Sequence, residues 1–583
     1  MVDMGKEYTS HVIARLRARF RADPWLYIGM VALLLVSALI VGAFYANHPS
    51  PETDPDTPGY LVSAHNIAAH GSFVSPSRLP GFPTFVALMF AVAGQANLQA
   101  VSVATGVLFV ISTLEIYIIV YLITRRAWIA FVIGLIMTSN VWLLTWIKPV
   151  IVEGFALWVT VTLALAVLLF LRRPSARLLW IVAAVTLLLF MTRPEWVYAP
   201  VPLFAYLLIV AWRKGQFRTL VKHAALAVVA LYLILGAYVT VNAVGNGYRG
   251  VSEVQNLNLF GKILEYQMQD EAPPEYADLT REVDAYVAAG NTLPNGFLYH
   301  HQDLVADHYQ RLGAYSTAII VRHPVEFVAK TVPLYIDMAN AYRYWSHIDH
   351  SGRFAKYLLL LQPFSTGVHA TYWLFSLVGI LWLALFFWRP TSRRDDVAAM
   401  SGLALLAFYE MALVALGSYG LADMARIQVP IDPILLVIVW VTLLSVFAQI
   451  VPSRASSAGE SADKSARSGA DLIAGAVTFS SPVAASDSIS DVETMPVPAL
   501  PKSLPLGASS SATSGASSSG RLASGTAAPG GTGGPGARTW LEDGRGANPA
   551  YPTVNDPSAR WPTAGGFASA PSRPNTPDGP DNP

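Results

Sequence analysis

The feature that most constrains this chain is a set of apolar runs, about 20 residues long, that recur through its first 450 residues. A helix rises about 1.5 Å per residue, so about 20 residues cross roughly 30 Å of hydrocarbon. Hydrophobic residues make up 53% of the 583 residues and charged residues only 13%, about half the usual share of a soluble chain. The runs and the composition together predict an all-α, polytopic membrane helical bundle.

Ten apolar runs are candidates for membrane spans, and the basic residues between them predict their direction. Arg15 and its neighbours precede the first run, and the pairs Arg125–Arg126 and Arg172–Arg173 fall in alternate loops. Since Lys and Arg concentrate in cytoplasmic loops, we expect a multi-pass protein of the plasma (inner) membrane with both termini in the cytoplasm. The predicted spans are 25–45, 98–123, 128–147, 152–171, 178–197, 199–212, 219–241, 366–388, 397–416 and 428–451.

Composition divides the chain into three parts. Residues 1–24 form a basic cytoplasmic N-terminus, residues 25–452 the transmembrane domain, and residues 453–583 a tail rich in Ser, Ala, Gly and Pro. Such a tail cannot bury enough apolar surface to fold, so we expect it to be disordered and cytoplasmic. Between the spans, segments 46–97 and 242–365 form two large loops on the external side.

Two amphipathic stretches in these external loops predict helices that lie in the membrane interface. Residues 81–94 are too short to span a bilayer. Residues 312–336 carry an amphipathic pattern that Pro324 and Pro333 interrupt. A further pair of spans is the alternative for this second stretch.

Several chemistries lack support in the sequence. The absence of cysteine excludes disulfide scaffolds, thiolate zinc sites, iron–sulfur clusters and cysteine nucleophiles. A formal net charge of +1 provides no chain-wide basic field for nucleic acid. Nucleotide-binding glycine motifs and the serine-hydrolase motif do not occur in a convincing context, and external histidines such as His300 and His369 lack zinc-helix spacing.

Ionisable residues gather near the external ends of the predicted spans. Charges are costly in a bilayer and usually functional there, so their shared depth predicts a common external cavity. The residues are Asp54, Asp56, Lys148, Glu153, Arg193, Glu195, Asp423, Arg426 and Asp432.

Simpler roles stay open for several of these side chains. Asp56 is a candidate N-cap for a helix that begins near Pro58, and Arg193 and Arg426 are candidate anchors at helix ends. Asp54 and Asp56 are also spaced as a DxD pair, which leaves a divalent cation as an open alternative.

Glu115 and Glu410 lie within spans rather than at their ends. Their depth differs from that of the external residues, so we interpret them as interhelical hydrogen-bond partners rather than catalytic groups.

The order of the external motifs resembles the GT-C superfamily of polytopic glycosyltransferases, and in particular the protein O-mannosyltransferase and aminoarabinose-transferase types. The resemblance covers roughly residues 25–450. Its motifs are Asp56-Thr57-Pro58-Gly59-Tyr60, His70-Gly71-Ser72-Phe73, Arg78-Leu79-Pro80-Gly81-Phe82-Pro83, Glu153, Thr192-Arg193-Pro194-Glu195, Arg322-His323-Pro324, and Arg426 with Pro430 and Pro433.

This resemblance implies an inverting transfer of a hexosyl or pentosyl group from a polyprenyl-phosphate donor to an acceptor hydroxyl on the external face. It implies Asp56 as the general base and Asp54 as its alternate or as an orienting acid. The implied substrate-binding residues are Tyr60, Arg78, Lys148, Glu153, Arg193, Glu195 and Arg426.

Alternatives stay open for the acceptor and for the reaction class. The sequence has no recognisable folded C-terminal external domain that would indicate the acceptor, so a glycan, a lipid and a protein are all candidates. A lipid-linked-glycan flippase or other transporter, and a polysaccharide polymerase or ligase that uses diphosphate-linked glycans, are the competing functions. A divalent cation is the one cofactor that the sequence leaves open.

Overall fold

The computed structural model describes residues 23–340, 352–388 and 395–450. Within these ranges the chain is helical, with one isolated bridge that pairs Glu52 with Pro149. This confirms the prediction of an all-α polytopic bundle. The N-terminal residues up to 22 and the predicted tail at 453–583 lie outside the described residues.

The first half of the described chain contains the helices of the first seven predicted spans and two helices of the first loop. They are α1 (Pro24–Asn47), α2 (Thr57–His70), α3 (Gly81–Ala93), α4 (Leu98–Thr124), α5 (Ala127–Thr138), α6 (Val141–Ile147), α7 (Val152–Arg172), α8 (Ala176–Phe190), α9 (Pro200–Arg213) and α10 (Phe217–Asn246).

The second half contains a layer of shorter helices and then the last three predicted spans. They are α11 (Val254–Tyr266), α12 (Ala277–Ala288), α13 (Pro294–His300), α14 (Gln302–Ala306), α15 (Gln310–Arg322), α16 (Pro324–Asn340), α17 (Ala355–His369), α18 (Leu374–Trp388), α19 (Asp395–Gly417), α20 (Leu421–Gln428) and α21 (Asp432–Ile450).

Six of the described helices are long and apolar enough to cross a membrane, namely α1, α4, α7, α10, α19 and α21. Two bent pairs bring the count to eight if each pair is one span. The remaining two predicted spans are the apolar but short helices α8 and α9, with 15 and 14 residues. The span predicted at 178–197 ends at Phe190, because Pro194 holds the preceding Arg193 in extended backbone.

The two bent pairs correct the spans predicted at 128–147 and 366–388. Helices α5 and α6 meet at an angle of 57°, and α17 and α18 meet at 48°. Helix α17 begins at Ala355, eleven residues before the predicted start of the span at 366–388.

The breaks in the two bent pairs lie against each other. The backbone N–H of Val141 donates to Ser365 Oγ at 3.0 Å, and this hydroxyl lies 3.1 Å from the carbonyl of Ser139. Asn140 Nδ2 lies 3.2 Å from His369 Nε2. His369, which the sequence placed among the external histidines, is therefore buried between helices. Backbone groups freed by a helix break need such partners inside a membrane.

A second hydrophobic core lies among the helices α11 to α16, and we call residues 247–340 the cap layer. The sequence predicted a helix pair at 312–336, and α15 and α16 form it, with the break at His323. The prediction of a second interruption was wrong, because Pro333 lies inside α16. The core residues include Phe260, Ile263, Leu264, Leu279, Val283, Phe297, Leu312, Tyr315 and Ile319.

We expect Ser365→Ala to destabilise the bundle by about 1–3 kcal/mol, since the Val141 N–H would lose its buried partner. Thermal unfolding of the purified protein in detergent measures the change. Thr366→Ala is the matched control, because the Thr366 hydroxyl donates within its own helix, to Gln362. Equal unfolding temperatures for the two variants would contradict the role given to Ser365.

Candidate active site

The centre of the candidate site is the guanidinium of Arg426, which lies on the short helix α20. Its Nη1 is 3.1 Å from Asp56 Oδ2 and 3.6 Å from Asp54 Oδ1. Its Nε is 3.3 Å from Glu153 Oε1 and 3.8 Å from Asp423 Oδ1. We call these five residues, together with Arg78 and Tyr60, the Arg426 cluster.

Asp54 and Asp56 reach the cluster from a tight turn before α2. The N–H of Asp56 donates to Asp54 Oδ1 at 2.8 Å, which is an Asx-turn. Thr57 Oγ1 accepts from the N–H of Asp54 and donates to the carbonyl of Val150. The turn is therefore fixed against the segment that leads into α7.

The capping role weighed for Asp56 is wrong. Asp56 occupies the N-cap position of α2, but its side chain makes no capping hydrogen bond. Its Oδ1 instead accepts from Arg78 Nη2 at 2.7 Å, while Oδ2 faces Arg426. Both carboxylate oxygens of Asp56 thus contact guanidinium groups.

Arg78 is held in place by packing as well as by charge. Its guanidinium lies over the Tyr60 ring, 4.6 Å from the centroid, and Tyr60 packs edge-on against Phe82. A Cβ at Gly59 would come within 3.0 Å of Arg78 Nε, so the glycine lets the guanidinium approach the backbone of α2.

Glu153 enters the cluster from the first turn of α7. A carboxylate is favourable at this position, because the helix N-terminus carries partial positive charge. The Glu153 side chain is only 3% exposed, and its Oε1 faces the Arg426 guanidinium.

Burial and neighbouring charges act in opposite directions on the two aspartates. Burial would raise the pKa of the Asp56 carboxyl, but Arg78 and Arg426 hold that pKa below its ordinary value. Burial raises the pKa of Asp54, and its hydrogen bond from Asp56 and the charge of Arg426 only partly oppose this. Asp56 is therefore the more firmly ionised of the pair.

Arg193 and Glu195 form a second ion pair next to the cluster. They flank Pro194 in the turn after α8, and Arg193 is buried. The charge of Arg193 acts on Glu153, which joins this pair electrostatically to the Arg426 cluster. Arg193 is consequently part of a buried charge network, which argues against the anchoring role weighed for it.

The two acids assigned to mid-span positions behave differently from each other. Glu115 accepts hydrogen bonds at 3.1 Å from Thr162 on another helix, which confirms its interhelical role. Glu410 is buried in α19, and the hydroxyl of the adjacent Tyr409 donates to the carbonyl of Glu195 at 2.6 Å, so this helix packs against the turn after α8. The interhelical hydrogen bond of Glu410 itself stays a prediction. Hydropathy placed Glu410 inside a span but carried no information about the turn beside it.

Lys148 has a different partner from the other predicted site residues. Its Nζ lies 2.6 Å from Glu52 Oε1, in the segment where Glu52 and Pro149 form the isolated bridge. The structure therefore brings Lys148 together with Glu52 rather than with Arg426. Sequence reasoning missed Glu52, although it stands two residues before Asp54.

The position of Arg426 bears on the open question of a cation at Asp54 and Asp56. Its guanidinium lies between the carboxylates, so this chain supplies a cation to them itself. Among the described residues, the side chains grouped closely enough to share one metal ion are Glu271, His323 and Glu326, in the cap layer.

Comparisons with known proteins give distant structural matches only. No family model and no curated protein matches this chain. It is similar to the archaeal oligosaccharyltransferase AglB from Archaeoglobus fulgidus in complex with an inhibitory peptide and a dolichol-phosphate, with 12% identity, a TM-score of 0.40, and 76% of this chain and 56% of that chain covered.

Two further structures of the Archaeoglobus fulgidus oligosaccharyltransferase match in the same way. The apo form has 13% identity and a TM-score of 0.39, and covers 72% of this chain and 51% of its own. The complex with Zn and sulfate has 12% identity and a TM-score of 0.40, with 76% and 53% covered. This chain thus spans about half the length of the structures it matches, and such distant likeness assigns no function or site residue.

We expect Arg426→Met to destabilise the protein by about 3–5 kcal/mol at pH 8, since buried carboxylates would lose their counter-ion. Burial already raises the pKa values of Asp54 and Asp423, and the charge of Arg426 opposes this, so loss of the cation raises both pKa values further above their unfolded values. Folding then favours their protonated forms, so stability returns as the pH falls from 8 to 5.

Thermal unfolding of the Arg426→Met variant in detergent at pH 8 and pH 5 measures this effect. Arg311→Met is the control, because Arg311 is 42% exposed and pairs with Asp278 outside the cluster. A loss of stability in Arg426→Met that is equal at both pH values would contradict the electrostatic account.

Proposed function

We propose that this chain is a membrane glycosyltransferase whose active site is the Arg426 cluster. It transfers a sugar, with inversion, from a polyprenyl-phosphate donor to an acceptor hydroxyl. The observation that carries the proposal is the placement of Asp56, a partly exposed carboxylate held between two guanidiniums and beside further buried acids. Such a site offers a base for the acceptor and cations for a phosphate.

The proposed reaction is a single displacement at the anomeric carbon. The acceptor oxygen forms a bond to this carbon while the bond from the carbon to the phosphate oxygen breaks. The lipid phosphate leaves with the electron pair, and the acceptor proton passes to Asp56. Because the leaving group departs as an anion, the reaction needs a general base but no general acid. The proposed site therefore differs from the sites of glycoside hydrolases, in which two carboxylates flank the glycosidic bond that breaks.

Asp56 suits the role of base better than Asp54. The Asp56 side chain is 27% exposed, whereas that of Asp54 is 4% exposed. Asp54 Oδ1 also accepts the N–H of Asp56, so this oxygen stabilises the turn. We therefore assign Asp54 to orienting Asp56, and Asp56 to receiving the proton.

The charge balance of the cluster supports a role in stabilising the sugar. Four carboxylates face the two guanidiniums of Arg78 and Arg426. The excess negative charge stabilises the positive charge that develops at an anomeric carbon in glycosyl transfer. Each arginine has five N–H groups, more than its carboxylate contacts use, so the rest serve the donor phosphate.

The other predicted substrate residues take supporting positions in this proposal. Arg193 and Glu195 stabilise the turn beside Glu153, and Tyr60 positions Arg78. Lys148 is paired with Glu52 and lies at the edge of the site. The positive-inside pattern of the loops supports an active site on the external face.

We expect Asp56→Asn to lower kcat for transfer by about 10²- to 10⁴-fold, because the amide cannot accept the proton. The assay uses the purified protein with polyprenyl-monophosphate hexoses and pentoses, and with diphosphate-linked glycans for comparison. Asp278→Asn is the matched control, since it removes a carboxylate from another Asp–Arg pair, in the cap layer. Wild-type turnover in Asp56→Asn would contradict the role of base.

A pH profile separates a base from a residue with a structural role. Arg78→Met removes one of the cations that lower the pKa of Asp56, so the acid limb of kcat/KM should move to higher pH. An unchanged acid limb would contradict the assignment of Asp56. If the wild-type protein moved a lipid-linked glycan across the membrane without transferring it, the chain would be a transporter rather than the proposed enzyme.

A further inference from the structure

Three side chains of the kinds that bind metals meet in the cap layer, outside the Arg426 cluster. They are Glu271, His323 and Glu326, and one ligand atom from each lies within 4.8 Å of the others. His323 Nε2 is 3.2 Å from Glu271 Oε2. The side chains of His323 and Glu271 are 35% and 41% exposed, so an ion from solution reaches them.

The fold brings these residues together from two separate parts of the chain. His323 follows the last residue of α15, and Glu326 lies in the first turn of α16. The spacing of three residues places both side chains on one side of the helix start. Glu271 ends the short helix Gln269–Glu271, about fifty residues earlier.

The backbone around the three residues is fixed by packing. The Tyr315 hydroxyl donates to the carbonyl of Gln269 at 3.3 Å, which ties the segment of Glu271 to α15. Tyr315 and Ile319 of α15 belong to the core of the cap layer. The ligand atoms therefore converge because the core sets the distance between the two segments.

We propose that Glu271, His323 and Glu326 bind a divalent transition-metal ion of the zinc type. One imidazole nitrogen and two carboxylate oxygens are ligands that zinc accepts, with water in the fourth position. The ion links the segment at Glu271 to the junction between α15 and α16. This site is independent of the proposed transferase, since it shares no residue with the Arg426 cluster.

The ion has to displace two existing contacts. One joins His323 Nε2 to Glu271 Oε2, and the other joins Lys330 Nζ to Glu326 Oε1 at 2.9 Å, one helical turn along α16. Exposed pairs with this spacing stabilise a helix by only a few tenths of a kcal/mol. A divalent ion that binds two carboxylates and an imidazole together therefore competes well with a single lysine.

The test is zinc binding to the full-length protein in detergent, after removal of metal with a chelator. Isothermal titration with ZnCl₂ should show one site per chain, and zinc should raise the unfolding temperature. His323→Ala and Glu271→Gln should each weaken zinc binding by about tenfold or more.

His301→Ala is the matched control for these variants. His301 also pairs with a glutamate, with its Nδ1 3.1 Å from Glu282 Oε2, but the pair is not part of the three-residue group. His301→Ala should therefore bind zinc like the wild type. Unfolding temperatures measured without zinc show whether each variant folds.

Two results would overturn the proposal. One is a wild-type protein that shows no zinc-dependent rise in unfolding temperature. The other is equal zinc affinity in His323→Ala and His301→Ala. Zinc binding is measured without substrate, so its outcome is distinct from that of the transfer assay.

Discussion

The ion contacts of Arg426 hold together the part of the molecule on which the functional account depends. A largely buried guanidinium needs carboxylate partners, and this one, 19% exposed, faces acids from separate parts of the chain. Asp54 and Asp56 come from the turn before α2, Glu153 from the start of α7, and Asp423 from α20 itself. Burial alone would lower the pKa of Arg426, but these carboxylates raise it. The cation is thus firmly charged, and the turns around it share one counter-ion.

Backbone contacts give this charged centre a rigid frame. The N–H of Val150 donates to the carbonyl of Glu52, and the Thr57 hydroxyl donates to the carbonyl of Val150. These bonds fix the aspartate turn to the segment before α7 independently of the charges. Orientation of a catalytic carboxylate is a large part of its effect, so a preformed frame of this kind suits catalysis.

Much of the architecture could be predicted from the apolar runs, because the thickness of the bilayer sets the length of each run. The bends within them could not. The bend at Asn140 has no proline or glycine to mark it, and it persists because Ser365 and His369 of a distant helix supply polar contacts. Likewise, the family resemblance implied Asp56, Arg78 and Arg426 as residues of one site, whereas the pairing of their charges depends on contacts between distant segments.

Lys148 and Glu410 show the same limit. Lys148 lies near the aspartate turn in the fold, yet Glu52 is close enough to bind it. Glu410 was placed by its depth in a span, but hydropathy gave no sign that α19 packs against the turn after α8, where the Tyr409 hydroxyl donates to the carbonyl of Glu195. Depth along a helix is readable from hydropathy, while the position of a neighbouring loop is not.

The most direct test of the account is the location of a bound lipid phosphate, determined by cryo-electron microscopy of the protein with a polyprenyl phosphate, the expected product. The account predicts phosphate density within about 3 Å of a nitrogen of Arg78 or Arg426, beside Asp56. Phosphate density at another place, with the contacts of Arg426 unchanged, would contradict the assignment of this cluster as the transfer site.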